Sequence, residues 1–570
     1  MPSVDHRSER SKDLGRIKDS ARPRKVVVAG PGTGKSFLFS ELIKKKRAEG
    51  KTKFLAITFI GKLGDSLADD LCGLAKTTTM HSYAREFVLQ YAKNWDYYPR
   101  MSELIAEDLK GEGIDKFEIG DENYLAKTKH YRAVGDGDVV HYAIRICRKD
   151  GTKIPEFDLV LVDEYQDFNK TEAEFVDLLA EKNEVLIVGD DDQALYEFKG
   201  SSPSFIRAKY SPDNTDWESF TLRFCSRCTE VMIKYFHSLL AQFDPGNLPD
   251  IDTVKKRIEK EFICYAPEGE ADSKGHDSKN NPKICLIKGC PVGMIAYKIK
   301  AELEKLVQSQ KIKEVLVIGE ARSCRPLLST AAEQLKDYGF RNVDRRGEGE
   351  VIPIRQNTVD AYRFLAKNES SLLGWGILGN PADAKMRTKH LKNAETLNKL
   401  INGTHSKIKK IKHADILLLE DAIEDWDLPG QGQNEDRSDN AEVEASRHQE
   451  QGVLIRRRVL VEELKRSNLY LPRPLCNLDI TVCNTLNSKG LGADVVFLIG
   501  FDQGKFPAQN SPTESEVYQM LVASTRAKKR MYLINTIGSA VSGFAGCLDA
   551  SDLDVEEVKP KTSGSSKKIV

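Results

Sequence analysis

Short runs of apolar, β-branched residues alternate along the first part of the chain with longer stretches in which apolar residues recur every three or four positions. The short runs are typical of buried parallel strands, and the longer stretches are typical of helices that cover a sheet. The predicted strands span residues 26–29, 54–58, 159–162 and 185–188, and the predicted helices span 35–46 and 171–181. This alternation predicts a parallel α/β sheet.

A second set of strand-like runs lies further along the chain, at residues 314–318, 480–483 and 495–499. These runs predict another α/β unit, so the chain is expected to hold two similar cores. The length of 570 residues leaves room for inserted segments as well, since a domain takes roughly 150 residues.

Charge is distributed unevenly between and after these cores. Residues 266–282 contain no strong core residue and predict a flexible loop. Residues 385–412 carry nine Lys or Arg against one acid, whereas residues 420–450 carry eleven Asp or Glu. Lys plus Arg and Asp plus Glu both total 86, so nucleic acid would have to be bound by a local patch such as 385–412. A solvated face paired with the acidic segment is the other interpretation of that patch.

No apolar run approaches the length of about 18 residues that crosses a bilayer, and the first twenty residues lack the apolar centre of a signal peptide. The eleven cysteines are sparse and odd in number, which favours reduced thiols. We therefore expect a cytoplasmic protein without membrane contact. Cys225 and Cys228 form a CxxC, but no second CxxC accompanies them, which disfavours a zinc site.

Residues 29–36 read AGPGTGKS, the Walker A pattern, between a predicted strand and a predicted helix. Glycines let backbone N–H groups surround phosphates, the lysine reaches the β and γ oxygens, and the serine hydroxyl binds Mg²⁺. The residues assigned to the cofactors ATP and Mg²⁺ in this loop are Ala29, Gly30, Gly32, Thr33, Gly34, Lys35 and Ser36. The sequence therefore predicts a nucleoside triphosphate site.

An acidic pair follows the predicted strand at 159–162. Asp163 is suited to binding Mg²⁺ together with Ser36, and Glu164 is suited to polarising the attacking water. Together with the Walker A loop, the pair predicts triphosphate hydrolysis.

Further motifs extend this pattern. The acidic pair continues as DEYQD at 163–167, residues 188–200 read VGDDDQALYEFKG, residues 488–491 read SKGL, and residues 522–533 read VASTRAKKRMYL. In these motifs and in their order, the chain resembles the superfamily 1 helicases of the UvrD/Rep/PcrA type. Weaker similarities lie at TFIGK (58–62), TMHSY (79–83) and CSRCT (225–229).

The resemblance implies a fold of two RecA-like P-loop cores with mostly helical inserted subdomains. Gln193 would sense the γ-phosphate, and Arg227 and Arg526 would stabilise the charge of the transition state. The residues that the resemblance assigns to DNA binding are Phe59, Lys62, His81, Tyr83 and Phe198. The implied boundaries are 1–84 and 156–232 for core 1A, 85–155 for a shortened insertion 1B, 233–370 and 470–540 for core 2A, 371–469 for a divergent insertion 2B, and 541–570 for a largely disordered tail.

The resemblance also implies an activity: ATP-dependent translocation along single-stranded DNA in the 3′→5′ direction, with unwinding of duplex DNA, in repair, recombination or phage defence. Two alternatives stay open. The protein could be a DNA-stimulated ATPase or translocase that does not separate strands, or a nucleotide-sensing subunit that switches a partner nuclease or effector protein.

The chain departs from the family where relatives bind the base and sugar. It has no Gln before Gln90, it has Phe37 after the Walker A serine, Ser226 before Arg227, and Gly492 where relatives carry a glutamate. Each lost contact would have supplied on the order of 1 kcal/mol. This predicts an enzyme that needs a triphosphate and Mg²⁺ but discriminates poorly among ATP and other nucleoside triphosphates.

Overall fold

The computed structural model describes residues 6–59, 67–71, 73–243, 256–265, 283–309, 311–346, 354–401, 475 and 477–558. The strands are β1 (Arg24–Ala29), β2 (Phe54–Thr58), β3 (Lys76–Thr79), β4 (Asp96–Tyr97), β5 (Ala133–Val134), β6 (Leu159–Val162), β7 (Val185–Gly189), β8 (Glu218–Leu222), β9 (Phe224–Cys225), β10 (Ile263–Cys264), β11 (Ile284–Cys290), β12 (Glu314–Gly319), β13 (Asn342–Arg346), β14 (Asp479–Asn484), β15 (Ala493–Ile499), β16 (Ala527–Thr536) and β17 (Leu553–Glu557).

The helices are α1 (His6–Asp19), α2 (Lys35–Ala48), α3 (Met80–Tyr91), α4 (Met101–Gly111), α5 (Glu122–Tyr131), α6 (Val139–Lys149), α7 (Lys170–Leu179), α8 (Ser204–Tyr210), α9 (Glu230–Phe243), α10 (Ile295–Ser309), α11 (Arg325–Asp337), α12 (Thr358–Lys367), α13 (Leu372–Ile377), α14 (Ala384–Ile401) and α15 (Glu514–Ser524). Short 3₁₀ turns connect several of these elements. No helix in the described part of the chain is long and apolar enough to cross a membrane.

The first sheet has six parallel strands in the order β3-β2-β6-β7-β1-β8. Its central strands are buried on both faces, which explains their nearly continuous apolar sequences. β1 lies between β7 and β8, and Val28 pairs with both Gly189 and Thr221. The carboxyl ends of β1 and β7 are therefore level, and the loops that follow them are neighbours at one edge of the sheet.

The second sheet has seven parallel strands in the order β13-β14-β12-β15-β16-β11-β17. Successive side chains of its strands point alternately into two apolar layers, one on each face of the sheet. Val496 and Leu498 of β15 pack with α9 and α15, whereas Val495 and Phe497 pack with α10 and α11. The predicted fold class, two parallel α/β sheets flanked by helices, is confirmed.

The chain divides into two compact units. The first contains Met1–Met80, Ile154–Gly347 and Val461–Val570, and the second contains His81–Lys153 and Glu348–Leu460. Both large sheets lie in the first unit. The two predicted insertions therefore contribute to one common unit rather than to separate subdomains.

Within the second unit, contacts join the two stretches of chain. The Tyr98 and Phe364 rings lie 5.9 Å apart, and Arg355 forms an ion pair with Asp108 at 2.6 Å. Residues 348–370 were assigned to core 2A from the sequence, and this boundary is wrong. The reason is that Ala361 and Phe364, on one face of α12, belong to the apolar core of the second unit.

The assignment of residues 541–570 to a largely disordered tail is wrong for residues 541–558. Phe544 is fully buried in the core, and β17 pairs in parallel with β11 through Ile284 and Leu553. These residues complete the second sheet. Residues 559–570, the predicted loop 266–282, the acidic segment 420–450 and the basic segment beyond residue 401 lie outside the described residues.

Candidate active site

The phosphate loop connects β1 to α2 at the carboxyl edge of the first sheet. Gly32 and Gly34 have φ angles of +69° and +94°, values that favour glycine. A Cβ on Gly32 would lie 2.4 Å from the Cβ of Arg227, so a side chain has no room there. The Thr33 hydroxyl donates to the Gly30 carbonyl at 2.8 Å and holds the loop closed. The backbone is thus arranged for phosphates at the N-terminus of α2.

Lys35 and Glu164 form an ion pair, with Nζ and Oε1 2.9 Å apart. The second oxygen of Glu164 accepts a hydrogen bond from the Gln166 amide at 2.7 Å. Burial acts to raise the pKa of Glu164, but Lys35 and Lys489 outweigh it and hold that pKa well below its usual value. Glu164 is therefore a carboxylate at neutral pH and is able to accept a proton.

The backbone at Glu164 supports a functional role. Its φ and ψ are +52° and +40°, in the left-handed region that non-glycine residues seldom adopt. Such strain is typical of sites whose surroundings fix a side chain in place. Asp163, one residue earlier, accepts a hydrogen bond from the Glu164 N–H at 2.9 Å.

Asp163 and Ser36 line the same cleft and offer a carboxylate and a hydroxyl, the oxygen ligands that Mg²⁺ prefers. Burial, together with the negative charge of Glu164, raises the pKa of Asp163 to about 6. Because adjacent buried carboxylates favour added positive charge, these residues fit a divalent cation.

Gln193 and Arg526 come from different sheets and meet in this cleft. The Arg526 guanidinium, 2% exposed, donates to the Gln193 side-chain oxygen at 3.1 Å and to the Leu491 carbonyl at 3.1 Å. Burial and the nearby Arg227 lower the pKa of Arg526 to about 9. A guanidinium whose charge is disfavoured by burial and by a neighbouring guanidinium is suited to an anion.

Arg227 lines the cleft beside the phosphate loop. Ser226, just before it, donates from its backbone N–H to the Gly32 carbonyl at 2.9 Å, which fixes the position of this segment. The Cys228 thiol donates to the Thr525 carbonyl at 3.5 Å. The CxxC therefore serves packing at the junction of the two sheets, and no cysteine cluster with metal-binding geometry occurs among the residues that the structure describes.

Two residues of this site were given no role in the sequence analysis. Lys489, in the SKGL motif, bonds the Asp167 carboxylate and also donates to the Gln193 carbonyl at 2.6 Å. Asp167 accepts a further hydrogen bond from the Leu195 N–H. Lys489 thus ties the second sheet to both acidic motifs of the first. Lys489 lies in the SKGL motif and Asp167 lies in the DEYQD motif. Their places in these motifs could have identified both residues from the sequence.

An acidic cluster stands next to Gln193. Asp190, Asp191 and Asp192 are fully buried, and the Lys260 ammonium lies 2.6, 2.7 and 2.8 Å from their respective carboxylates. Arg257 adds a bidentate contact to Asp192 at 2.7 and 2.9 Å. Lys260 thus occupies the centre of this cluster, where a metal ion would otherwise have to bind.

Replacing Lys260 by methionine is expected to lower the free energy of unfolding by about 3–5 kcal/mol, because it removes the ammonium that three buried carboxylates share and leaves Arg207 and Arg257 to balance them. Urea denaturation followed by circular dichroism measures this change. Lys256→Met, at an exposed position of the same segment, is the matched control and should alter stability by less than about 0.5 kcal/mol. An equal effect of the two substitutions would contradict the role of Lys260.

The residues assigned to DNA differ in accessibility. Phe198 is 65% exposed, whereas Phe59 is partly buried with its ring 5.0 Å from that of Tyr196. Tyr83 is only 5% exposed and belongs to the second unit. His81 is half-buried in that unit. Lys62 lies outside the described residues.

A Walker A loop, an acidic pair on the neighbouring strand and an arginine from a second parallel sheet define a P-loop NTPase with tandem RecA-like cores. A family model described as an AAA domain matches residues 16–199. The chain is a distant homologue of the UvrD/Rep-type superfamily 1 helicases. The recognition made from the sequence is therefore confirmed at the level of the family.

Three relatives show how distant the homology is. The exonuclease/helicase subunit RexA of Lactococcus lactis subsp. cremoris is 27% identical over 168 residues, or 28% of this chain and 13% of the relative. The probable DNA helicase II homolog of Mycoplasma capricolum is 24% identical over 430 residues, or 71% of this chain and 57% of the relative. The ATP-dependent DNA helicase Rep of Buchnera aphidicola is 31% identical over 126 residues, or 21% of this chain and 19% of the relative. In each comparison the matched region spans less than two thirds of the relative.

Proposed function

We propose that this protein is a DNA-stimulated ATPase that translocates 3′→5′ along single-stranded DNA and unwinds duplex DNA. The observation that carries the proposal is the contact between Gln193 and Arg526 beside the Lys35–Glu164 pair, because it joins two sheets around one phosphate site. The helicase relatives support DNA as the partner. A cytoplasmic role in DNA repair, recombination or phage defence is part of this proposal.

The proposed chemistry begins with the triphosphate on the loop before α2. Lys35 gives up its ion pair with Glu164 and binds the β- and γ-phosphate oxygens. Glu164 then orients a water for attack. Arg526, with Arg227, stabilises the negative charge that develops on the transferred phosphoryl group. Ser36 and Asp163 would hold Mg²⁺, which neutralises phosphate charge. Because Arg526 belongs to the second sheet, loss of the γ-phosphate weakens the link between the sheets, which supports alternate opening and closing.

Phe198 is the first residue of the proposed surface that contacts single-stranded DNA. This exposed ring follows Gln193 by five positions in the 188–200 motif, and its neighbour Tyr196 donates to the Leu486 carbonyl of the second core at 3.2 Å. Stacking of a base on an aromatic face contributes about 1–3 kcal/mol and does not depend on base identity. Movement of the motif on hydrolysis would therefore be transmitted to the strand.

The test compares ATP hydrolysis with and without single-stranded DNA in the wild type, Phe198→Ala and Phe198→Trp. We expect strong stimulation by DNA in the wild type, a DNA concentration for half-maximal stimulation raised about tenfold in Phe198→Ala, and rescue in Phe198→Trp. Unwinding of forked duplexes with a 3′ or a 5′ tail then measures the polarity.

Other outcomes separate the alternatives. Stimulation without unwinding of either fork would identify a translocase that does not separate strands. Hydrolysis that DNA does not change would contradict the motor and favour a nucleotide-sensing subunit with a nuclease or effector partner. The name of the Lactococcus relative, an exonuclease/helicase subunit, gives that alternative its specific support.

A further inference from the structure

Two cysteines flank one of the arginines of the active site. Cys225 ends β9, Cys228 lies two residues before α9, and Arg227 stands between them. Both thiols are fully buried and lie within hydrogen-bonding reach of each other. Reactivity, more than packing, distinguishes a cysteine from other small apolar residues. The pair therefore offers the chemistry of a disulfide in addition to its packing at the junction of the sheets.

The surroundings of the two sulfurs give them different roles. The Cys228 backbone N–H donates to the Cys225 sulfur at 3.3 Å. Burial acts to raise the pKa of Cys225, but hydrogen bonds from Cys228 and from the Arg227 N–H outweigh it and hold that pKa below its usual value. The adjacent Cys225 sulfur, together with burial, raises the pKa of Cys228 well above its usual value. Cys225 is thus the better nucleophile, and Cys228 is the thiol that can complete a disulfide.

The pair is connected to both active-site arginines. A Cβ on Gly32 would collide with the Arg227 side chain, so the backbone between the cysteines packs tightly against the phosphate loop. The Cys228 thiol donates to the Thr525 carbonyl at 3.5 Å, and Thr525 directly precedes Arg526. The S–S distance of a disulfide is about 2.05 Å, so its formation draws the two sulfurs together and removes the proton that the Thr525 carbonyl accepts. The change acts on the segments that carry both arginines.

The nucleotide cleft gives a small oxidant a route to this pair. Ser226 and Arg227, the two residues between the cysteines, line the cleft. The contact between Cys228 and Thr525 joins the two sheets, so it is among the contacts that the proposed opening of the junction breaks. Hydrogen peroxide is only slightly larger than water, and it therefore enters where water enters.

We propose that Cys225 and Cys228 form a redox modification site, in which hydrogen peroxide oxidises the two thiols to a disulfide that displaces Arg227 and Arg526 from the phosphate site and stops hydrolysis. A thiol reductant reverses the change. The proposal rests on the proposed ATP hydrolysis and adds a regulation of that same site.

The oxidation takes two steps and one peroxide. The Cys225 thiolate attacks one peroxide oxygen, the O–O bond breaks, and the hydroxide that leaves takes up the proton of the original thiol to form water. Cys225 is then a sulfenic acid. The Cys228 sulfur attacks the Cys225 sulfur, the S–O bond breaks, and the departing hydroxide leaves as a second water with the Cys228 proton. Two thiols lose two electrons in total, and one peroxide is reduced to two waters.

The test follows the disulfide and the activity in the same samples. Reduced wild-type protein is treated with hydrogen peroxide, catalase removes the excess, free thiols are alkylated, and peptide mass spectrometry locates the disulfide. We expect a disulfide between Cys225 and Cys228 and a fall in the kcat of DNA-stimulated ATP hydrolysis of about 10- to 100-fold, because both arginines are misplaced. Dithiothreitol should restore the activity.

The variant Cys225→Ala lacks the attacking sulfur, so it should keep its kcat after peroxide. Cys225→Ser serves the same purpose if the alanine variant does not fold. Cys264→Ala is the matched control, because Cys264 is partly exposed and pairs in register with Cys225, and this variant should stay sensitive to peroxide. A disulfide between Cys225 and Cys264, or equal inactivation of Cys225→Ala and the wild type, would overturn the proposal.

The reduced protein separates this proposal from the proposed function. If the reduced wild type hydrolyses ATP and the mapped disulfide leaves kcat unchanged, the proposed function stands and the redox regulation is overturned. If the reduced wild type does not hydrolyse ATP, the proposed function is contradicted, and the regulation of hydrolysis is overturned with it even where the disulfide forms.

Discussion

The substitution Glu164→Gln is expected to lower the kcat of DNA-stimulated ATP hydrolysis by about 10³-fold. Glu164 is the carboxylate that Lys35 holds at 2.9 Å, and its low pKa keeps it charged at neutral pH. Glutamine preserves the size and the left-handed backbone conformation but cannot accept a proton. Steady-state turnover measures the effect of the substitution on kcat, and equilibrium binding of MgATP measures its effect on nucleotide affinity.

Binding of MgATP should persist in Glu164→Gln and should tighten, because Lys35 no longer has to leave a charged partner. Glu181→Gln is the matched control, since Glu181 is exposed two residues after α7. A kcat within tenfold of the wild type would show that another group orients the water. Loss of both binding and turnover would instead indicate a damaged loop.

The second large effect is expected for Arg526→Ala, which should lower kcat by about 10³-fold with a smaller change in KM. Arg526 reaches the cleft from the second sheet, and its guanidinium donates to the Gln193 side chain in the same cleft as Lys35. Its pKa of about 9 still leaves it charged at pH 7. Pre-steady-state hydrolysis with excess enzyme measures the chemical step directly.

Lys529→Ala is the control for Arg526→Ala, because Lys529 lies three positions later and makes a partly exposed ion pair with Asp494. Arg526→Lys keeps the charge but loses the planar fork, so it should recover only part of the rate. If Arg526→Ala raised KM and left kcat intact, the arginine would bind nucleotide in the ground state only.

Much of this architecture was predictable because parallel strands buried on both faces must be apolar. The strands at 54–58 and 159–162 were predicted with the bounds that the structure has. The phosphate loop and Glu164 were predictable because short-range sequence sets both their chemistry and their place at the strand ends. The structure brings Lys35, Glu164, Gln193, Arg227 and Arg526 to one cleft.

Other features depend on contacts that no local pattern encodes. Lys260 lies in a segment between β8 and β11 without regular periodicity, so its three buried carboxylate partners could not be inferred. The boundary of the second unit was missed because an amphipathic helix such as α12 does not specify the partner for its apolar face. The burial of Tyr83 could not be predicted because a motif gives residue type and position but not burial.

The strand order of the second sheet has a consequence during synthesis of the chain. β11 is flanked by β16 and β17, both of which are made much later than β11 itself. Translation at about 5–20 residues per second leaves both edges of β11 unpaired for about ten seconds or more. In the first sheet, β1 also waits for its neighbours β7 and β8, but these are complete at Leu222, so the delay is shorter. An unpaired apolar strand invites non-native pairing, so the nascent second core is the part of the molecule that depends most on chaperones.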